Sequence, residues 1–283
     1  MTTQAEPTMS AGDSETEQFQ PVPVVAPTSR GWLFNARCVV DLQLGSIVKH
    51  LRPQLSQMTG DVLDVGAGES PWRVWLPENS KYHGIDVAHS DAFGMASDRQ
   101  DIVYFDGLNI PYQDNTFDNV LCIEVLEHSV EPERLLHEMA RVLRPRGQLV
   151  LTVPWSARRH HIPHDYHRFS KDALARMLNK TGFATFVIRE RGTDVGVIAN
   201  KLTVLAIRLV RPPKLRDLWF TLPLALFVAP SAAGFILAAH CADALHFGSK
   251  LDPLGYFVKA TKEKISDSQQ GHKLRKIRAN ALN

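Results

Sequence analysis

Cysteine is scarce in this chain: three among 283 residues, Cys38, Cys122 and Cys241, far apart and odd in number. With no CxxC pair, neither a zinc knuckle nor a disulfide framework is indicated, and a reducing, cytosolic setting fits that usage. An excess of charge is also lacking. A formal net charge of +2 is too balanced to argue for nucleic acid as a partner. Residues 1–28 lack the basic start and apolar run of a signal peptide; polar, acidic and proline-rich, they read as a disordered tail. Apolar residues, by contrast, are plentiful. At 44% of the chain they can bury a sizeable core, which excludes global disorder.

The apolar residues are spaced in a telling order. Leu33, Val40, Leu44, Ile47, Val48 and Leu51 recur at helical spacing, so one or two helices are expected over 29–60, packing on a sheet rather than forming a lid over substrate. Strands are expected at "DVLDV", "YHGIDV", "IVYF", "NVLCIEV", "QLVLTVP" and "ATFVIRE". Between the fourth and fifth, Leu135, Leu136, Met139, Val142 and Leu143 form one stripe of a helix that begins near Pro132 and stops at Pro145 and Gly147. A further helix follows Ser170 as N-cap and ends at Gly182. Strands alternating with helices imply an α/β fold, a parallel sheet covered on both faces. Ligands bind such sheets outside the carboxyl ends of the strands.

The glycine turn in "VLDVGAGES" falls at such an end. Gly66 and Gly68 allow a tight turn and close approach of a ligand to the backbone. A dinucleotide fingerprint needs a third small residue where Pro71 stands, and no GK[ST] follows, so neither that fingerprint nor a phosphate loop is present. Two acids, Asp64 and Glu69, would repel a pyrophosphate and welcome a cationic amino group. Asp86, twenty residues after Gly66, is placed to accept bonds from ribose hydroxyls. A ribose joined to a cationic, unphosphorylated end describes S-adenosylmethionine.

With "GIDV", "FDGLNIPYQDNTFDNVLCIEVLEH" and "LLHEMARVLRPRGQLVLTVP", the turn completes an ordered series over roughly 60–190. This series resembles the motifs of class I S-adenosylmethionine-dependent methyltransferases, within them the broad type 11 group. The resemblance implies a doubly wound, Rossmann-like, mostly parallel seven-stranded sheet with an antiparallel last strand. It implies that Asp64 and the backbone of Gly66, Ala67 and Gly68 take the methionine end. Asp86 would take the ribose, and Asp106, Gly107 and Leu108 the adenine edge, with Ile123 beneath the cofactor. "RPRG" stands where the family usually has Pro-Gly-Gly, which alters only a turn. Asp64 as a helix cap, Asp86 as a surface acid and Asp106 as part of a turn remain the bland readings.

The histidines gather in "RRHHIPHDYHRFS", 158–170, after the fifth strand. An HH pair and HxxHDxH in a loop have no regular facial spacing and no cysteine joins them, so no metal ligand set is read here. A loop closing over substrate is the expectation. It resembles an element in a type 11 subset linked to sugar and cell-envelope biosynthesis, matched by His160, Pro163, Asp165, Tyr166, Arg168 and Phe169, with His167 where a second aromatic is usual. His160 is then the candidate base, histidine being the usual choice near neutral pH. Asp165 and Arg168 either join it or pair to fix the loop, and His128 either meets substrate or orients a helix.

One segment stands outside the α/β pattern. "LWFTLPLALFVAPSAAGFILAA", Leu218–Ala239, has no charge over a length that could span a bilayer. A seventh strand at "GYFVKATK" must rejoin the sheet, so one crossing is excluded. "VGVIANKLTVLAIRLV" contains Lys201 and Arg208 and makes a poor second span, and Pro223 and Pro230 are expected to break a straight helix. A re-entrant or surface-lying hairpin is expected, flanked by Arg208, Arg211, Lys214 and Arg216, with 264–283 as a basic tail. A dimer interface or a helical cap over the substrate are the alternatives. The expected plan is a cofactor-binding domain over 61–190 and 253–263 with a hydrophobic helical insertion at 191–252. The expected activity is methyl transfer to a hydroxyl of a small-molecule, glycan or lipid-linked acceptor, in the cytoplasm or at the inner face of the membrane. A quinone-type C-methyltransferase and a non-catalytic cofactor-binding protein are the other readings; RNA is disfavoured because the basic residues adjoin apolar stretches, not aromatic platforms.

Overall fold

The computed structural model describes residues 21–24, 26, 31–88 and 99–263. Most of the 1–28 tail and all of 264–283 lie outside the described residues. Seven strands form one sheet: β1 (Gly60–Val65), β2 (Ser80–Val87), β3 (Ile102–Phe105), β4 (Phe117–Ile123), β5 (Leu143–Pro154), β6 (Phe183–Arg191) and β7 (Gly255–Lys262). Their order is β3-β2-β1-β4-β5-β7-β6. β1 to β5 run parallel, and β7 runs antiparallel to both its neighbours. The order reverses between β1 and β4, so a crevice opens at their carboxyl ends.

The central strands are buried on both faces, which is why "VLDV" and "NVLCI" read as continuous apolar runs rather than alternating ones. α1 (Gly31–Val40) and α2 (Leu42–Leu55) are separated at Asp41, whose carboxylate accepts the Leu44 N–H at 3.1 Å and caps α2. α2 buries Leu44, Ile47, Leu51 and Leu55 against Val62, Leu121, Val150 and Phe257. On the opposite face α3 (Pro132–Val142) and α4 (Lys171–Lys180) bury Leu135, Leu136, Met139 and Leu174 against Leu63, Val120 and Leu149. Ser170 caps α4 as its position predicts, accepting from Ala173 N at 3.2 Å.

Two local expectations are corrected. α3 passes directly into β5 at Leu143, so Pro145 and Gly147 belong to an irregular strand start rather than to a loop. Arg146 takes φ +67°, a conformation glycine reaches without strain. The second correction concerns the insertion. α5 (Asp194–Val210) and α6 (Leu218–Ala244) form a hairpin, and α6 runs unbroken through Pro223 and Pro230. Each proline removes one donor from a 27-residue ladder, and packing along α5 holds the remaining turns.

The residues that α6 buries are small: Thr221, Ala225, Ala232, Ala239 and Ala242. Its large side chains face outward, Trp219 79%, Leu226 70% and Phe227 76% exposed. With the 3-10 turn at Leu215–Asp217, this is a helix long and apolar enough by composition to cross a membrane, with only 17% of its most apolar stretch buried. Its carboxyl half rests on the domain, where His240 bonds the Val39 carbonyl at 2.9 Å and Ala239 packs with Leu42, Val197 and Leu254.

Candidate active site

The turn after β1 is held by Ile85, whose carbonyl accepts the N–H groups of Gly66 (2.9 Å) and Ala67 (3.0 Å). Gly66 has φ +72°, and a Cβ there would collide with the Val125 side chain at the end of the neighbouring strand. The glycine is therefore required twice, by conformation and by space. The turn opens a cavity of 540 Å³ at the crevice between β1 and β4. Gly66, Ala67, Gly68, Asp86, Asp106, Gly107, Leu108 and Ile123 line it, and so do His128, His160 and Tyr166. Residues more than ninety positions apart in sequence thus share one chamber.

The acids in and below the turn differ in circumstance. Asp86 accepts Gly68 N and Val87 N, each at 2.7 Å, and burial raises its pKa against those bonds. Asp106 accepts from Leu108 N, Asn109 N and Asn109 Nδ2 at 2.6–2.8 Å, bonds that hold its pKa low. It builds a turn and lines the cavity as well, so the bland and functional readings coincide. Asp64 is not among the lining residues. It is 1% exposed beneath the turn and accepts the Tyr82 hydroxyl at 2.8 Å; burial pushes its pKa up to about 7. The resemblance sets this carboxylate against the ligand; in the structure it lies beneath the turn, hydrogen-bonded to Tyr82 of β2.

The histidine loop folds back over β4. His128 Nδ1 meets the His164 carbonyl at 2.6 Å, and His160 Nδ1 the Arg158 carbonyl at 3.1 Å. A carbonyl only accepts, so each ring carries hydrogen on Nδ1 and its lone pair on Nε2. Burial pushes both pKa values down to about 4, leaving neutral imidazoles. Asp165 is 2% exposed at its side chain and receives both Arg168 guanidinium nitrogens, at 2.6 and 2.8 Å, and the His160 N–H at 3.0 Å. Neither Asp165 nor Arg168 lines the cavity; they fix the loop, the second of the two roles the sequence allowed them.

Several lining residues were not anticipated. Glu124 follows β4 at φ +54° and is held by Arg191 at 2.8 Å, a guanidinium with no exposed side-chain surface. Arg191 lies 67 residues away, and no local pattern signals the pair. His161 and Val130 also face the cavity. So do Pro21–Val24, tethered where Arg37 donates to the carbonyls of Pro23 (2.8 Å) and Val22 (2.7 Å). α2 packs on the sheet as expected, whereas residues 21–24, read from the sequence as part of a disordered tail, are placed along the chamber.

Comparison with known proteins agrees with this geometry. Residues 63–151 match the methyltransferase domain family. The chain is 35% identical over 101 residues to methyltransferase GfsG of Streptomyces halstedii, covering 32% of this chain and 36% of that protein. It is 38% identical over 108 residues to the demethylmenaquinone methyltransferase of Corynebacterium urealyticum, covering 36% and 46%. With the fatty-acid O-methyltransferase of Mycolicibacterium smegmatis it shares 30% over 159 residues, covering 53% and 56%. The chain thus spans less than two thirds of the length of each. Motif order and matches together mark residues 63–151 as similar to a methyltransferase domain.

Proposed function

We propose that the protein transfers the methyl group of S-adenosylmethionine to an oxygen of a small or lipid-linked acceptor at the inner face of a membrane. One observation carries the transfer: a single cavity is lined by the cofactor turn on one side and by His128 and His160 on the other. Methyl transfer from a sulfonium is an in-line displacement, and bringing nucleophile, methyl carbon and sulfur into line supplies much of the rate. Asp86 would accept the ribose hydroxyls while Gly68 keeps it oriented. The neutral imidazoles would receive the hydroxyl proton as the oxygen attacks.

The membrane half rests on α6. Soluble proteins bury large apolar side chains, whereas helices packed in lipid meet through small residues and turn large ones outward. α6 follows the second pattern, with a seam of alanines toward α5 and Trp219, Leu226 and Phe227 outside. Arg208, Arg211, Lys214 and Arg216 at the hairpin's bend suit an anionic leaflet. A quinol acceptor, as in the name of the Corynebacterium relative, would travel by the same route and is the second reading.

Calorimetric titration of S-adenosylmethionine, with NAD as control, tests the cofactor half. Saturable binding that Asp86→Ala weakens at least about tenfold, the equivalent of 1.4 kcal/mol, is expected. Equal affinity in wild type and variant would remove Asp86 from the site, and no binding at all would remove the activity.

A further inference from the structure

The histidines of the cavity meet at a point. The rings of His128, His160 and His161 lie 4.8, 5.3 and 5.1 Å apart by centroid. One nitrogen from each falls within 4.8 Å of one from each of the others. Neighbouring residues in extended chain point to opposite sides, yet His160 and His161 face the same way because His161 takes φ +54°. Such a conformation costs a non-glycine residue on the order of 1–3 kcal/mol and persists only where its surroundings hold it. Both Nδ1 bonds described above go to backbone carbonyls, the arrangement that orients metal-ligating imidazoles.

A second observation lies beside this cluster. Glu127 has no exposed side-chain surface, and neither carboxylate oxygen has a hydrogen-bond partner among the described residues. Its Oε1 stands 3.7 Å from His128 Nε2. Buried acids without partners are rare and call for a cause. A cation held by the three imidazoles beside it would supply one.

We propose that His128, His160 and His161 bind a divalent cation of the borderline class, such as Zn2+, with the Glu127 carboxyl behind them. Three imidazole nitrogens select such ions over Mg2+ or Ca2+, which prefer oxygen. Zn–N bonds of about 2.0–2.1 Å in a tetrahedron set nitrogens ~3.4 Å apart, so the loop carrying His160 and His161 would close in by roughly 1.4 Å on binding. The position left open faces the chamber. An acceptor hydroxyl bound there loses its proton to solvent more readily. Its oxygen then forms the O–CH3 bond as the S–CH3 bond breaks, and the sulfonium leaves as a neutral thioether. That role rests on the methyltransferase reading and would replace proton acceptance by His128 and His160, whose lone pairs the ion takes; ion binding itself does not rest on it.

The test uses the full chain, stripped with chelator, dialysed and titrated with Zn2+ alone by calorimetry. His128→Ala, His160→Ala and, as control, His137→Ala on the exposed side of α3 are run alongside. One Zn2+ per chain is expected. The two cavity variants should lose more than the ~10–100-fold that removing an outer-shell partner costs, and the control nothing. No saturable binding in wild type, or equal binding in all three variants, overturns the site. Should a variant fail to fold, Co2+ in the wild-type chain decides. The intense visible absorption of four-coordinate Co2+ supports the site, and its absence refutes it. A separate S-adenosylmethionine titration keeps the readings apart: cofactor binding without Zn2+ removes the ion alone, and Zn2+ binding without cofactor removes the methyltransferase reading and leaves the ion site standing.

Discussion

Asp64 shows how one residue can belong to a motif and still serve from below it. Its carboxyl is buried against Tyr82, and the fold raises its pKa from 3.8 to about 7. The folded state therefore favours the protonated form. Its stabilising contribution is complete below the unfolded-chain pKa and is lost as pH rises through about 7. Across that window the loss is roughly 4 kcal/mol at most. Urea unfolding of wild type and Asp64→Asn between pH 4 and 8 should show the variant gaining on wild type as pH rises. Parallel curves would mean that Asp64 stays ionised in the fold. Asp86 differs, a carboxylate held at the cavity wall by two backbone N–H groups.

Among the elements, α6 departs furthest from a soluble protein's rules. Apolar in sequence on every side, it is buried only along its seam of small residues. Replacing Trp219, Leu226 and Phe227 together by serine removes little internal packing beyond the Trp219–Phe220 edge contact, so stability should change by no more than about 0.5 kcal/mol per site. Binding to vesicles containing anionic lipid should fall sharply in the same variant, measured by co-sedimentation beside thermal unfolding. Unchanged vesicle binding with a change in oligomeric state would assign this face to a second copy of the chain. The loop 155–170 is the opposite case, a segment with no regular structure tied together by the Asp165–Arg168 pair.

In the whole molecule, the two halves of the sheet are joined through Arg191. From the end of β6 it reaches the Val153 carbonyl on β5, Ser46 on α2 and Glu124 at the cavity. Removing one member of a buried charge pair costs about 3–5 kcal/mol, because its partner is left uncompensated. Arg191→Ala should lose stability on that scale in urea unfolding and weaken S-adenosylmethionine binding as Glu124 is released. A loss under about 1 kcal/mol would mean that solvent already compensates Glu124, whose side chain is 24% exposed.

The sequence by itself determined the strands, the glycine turn and the start of α4, because these rest on period, glycine and capping within a few residues. IVYF and GYFVKATK became strands with the expected bounds, and Gly66 needed its freedom for reasons readable in VLDVGAGES. The hydrophobic insertion was also visible, as composition alone. Which way its side chains would turn was not, and local proline rules misjudged its continuity. Only the tertiary structure decided that Asp64 is covered by β2, that Glu124 meets Arg191, and that His128 joins His160 and His161. Those partners stand 18 to 67 residues apart, and such meetings are set by how whole elements pack, which no local spacing encodes.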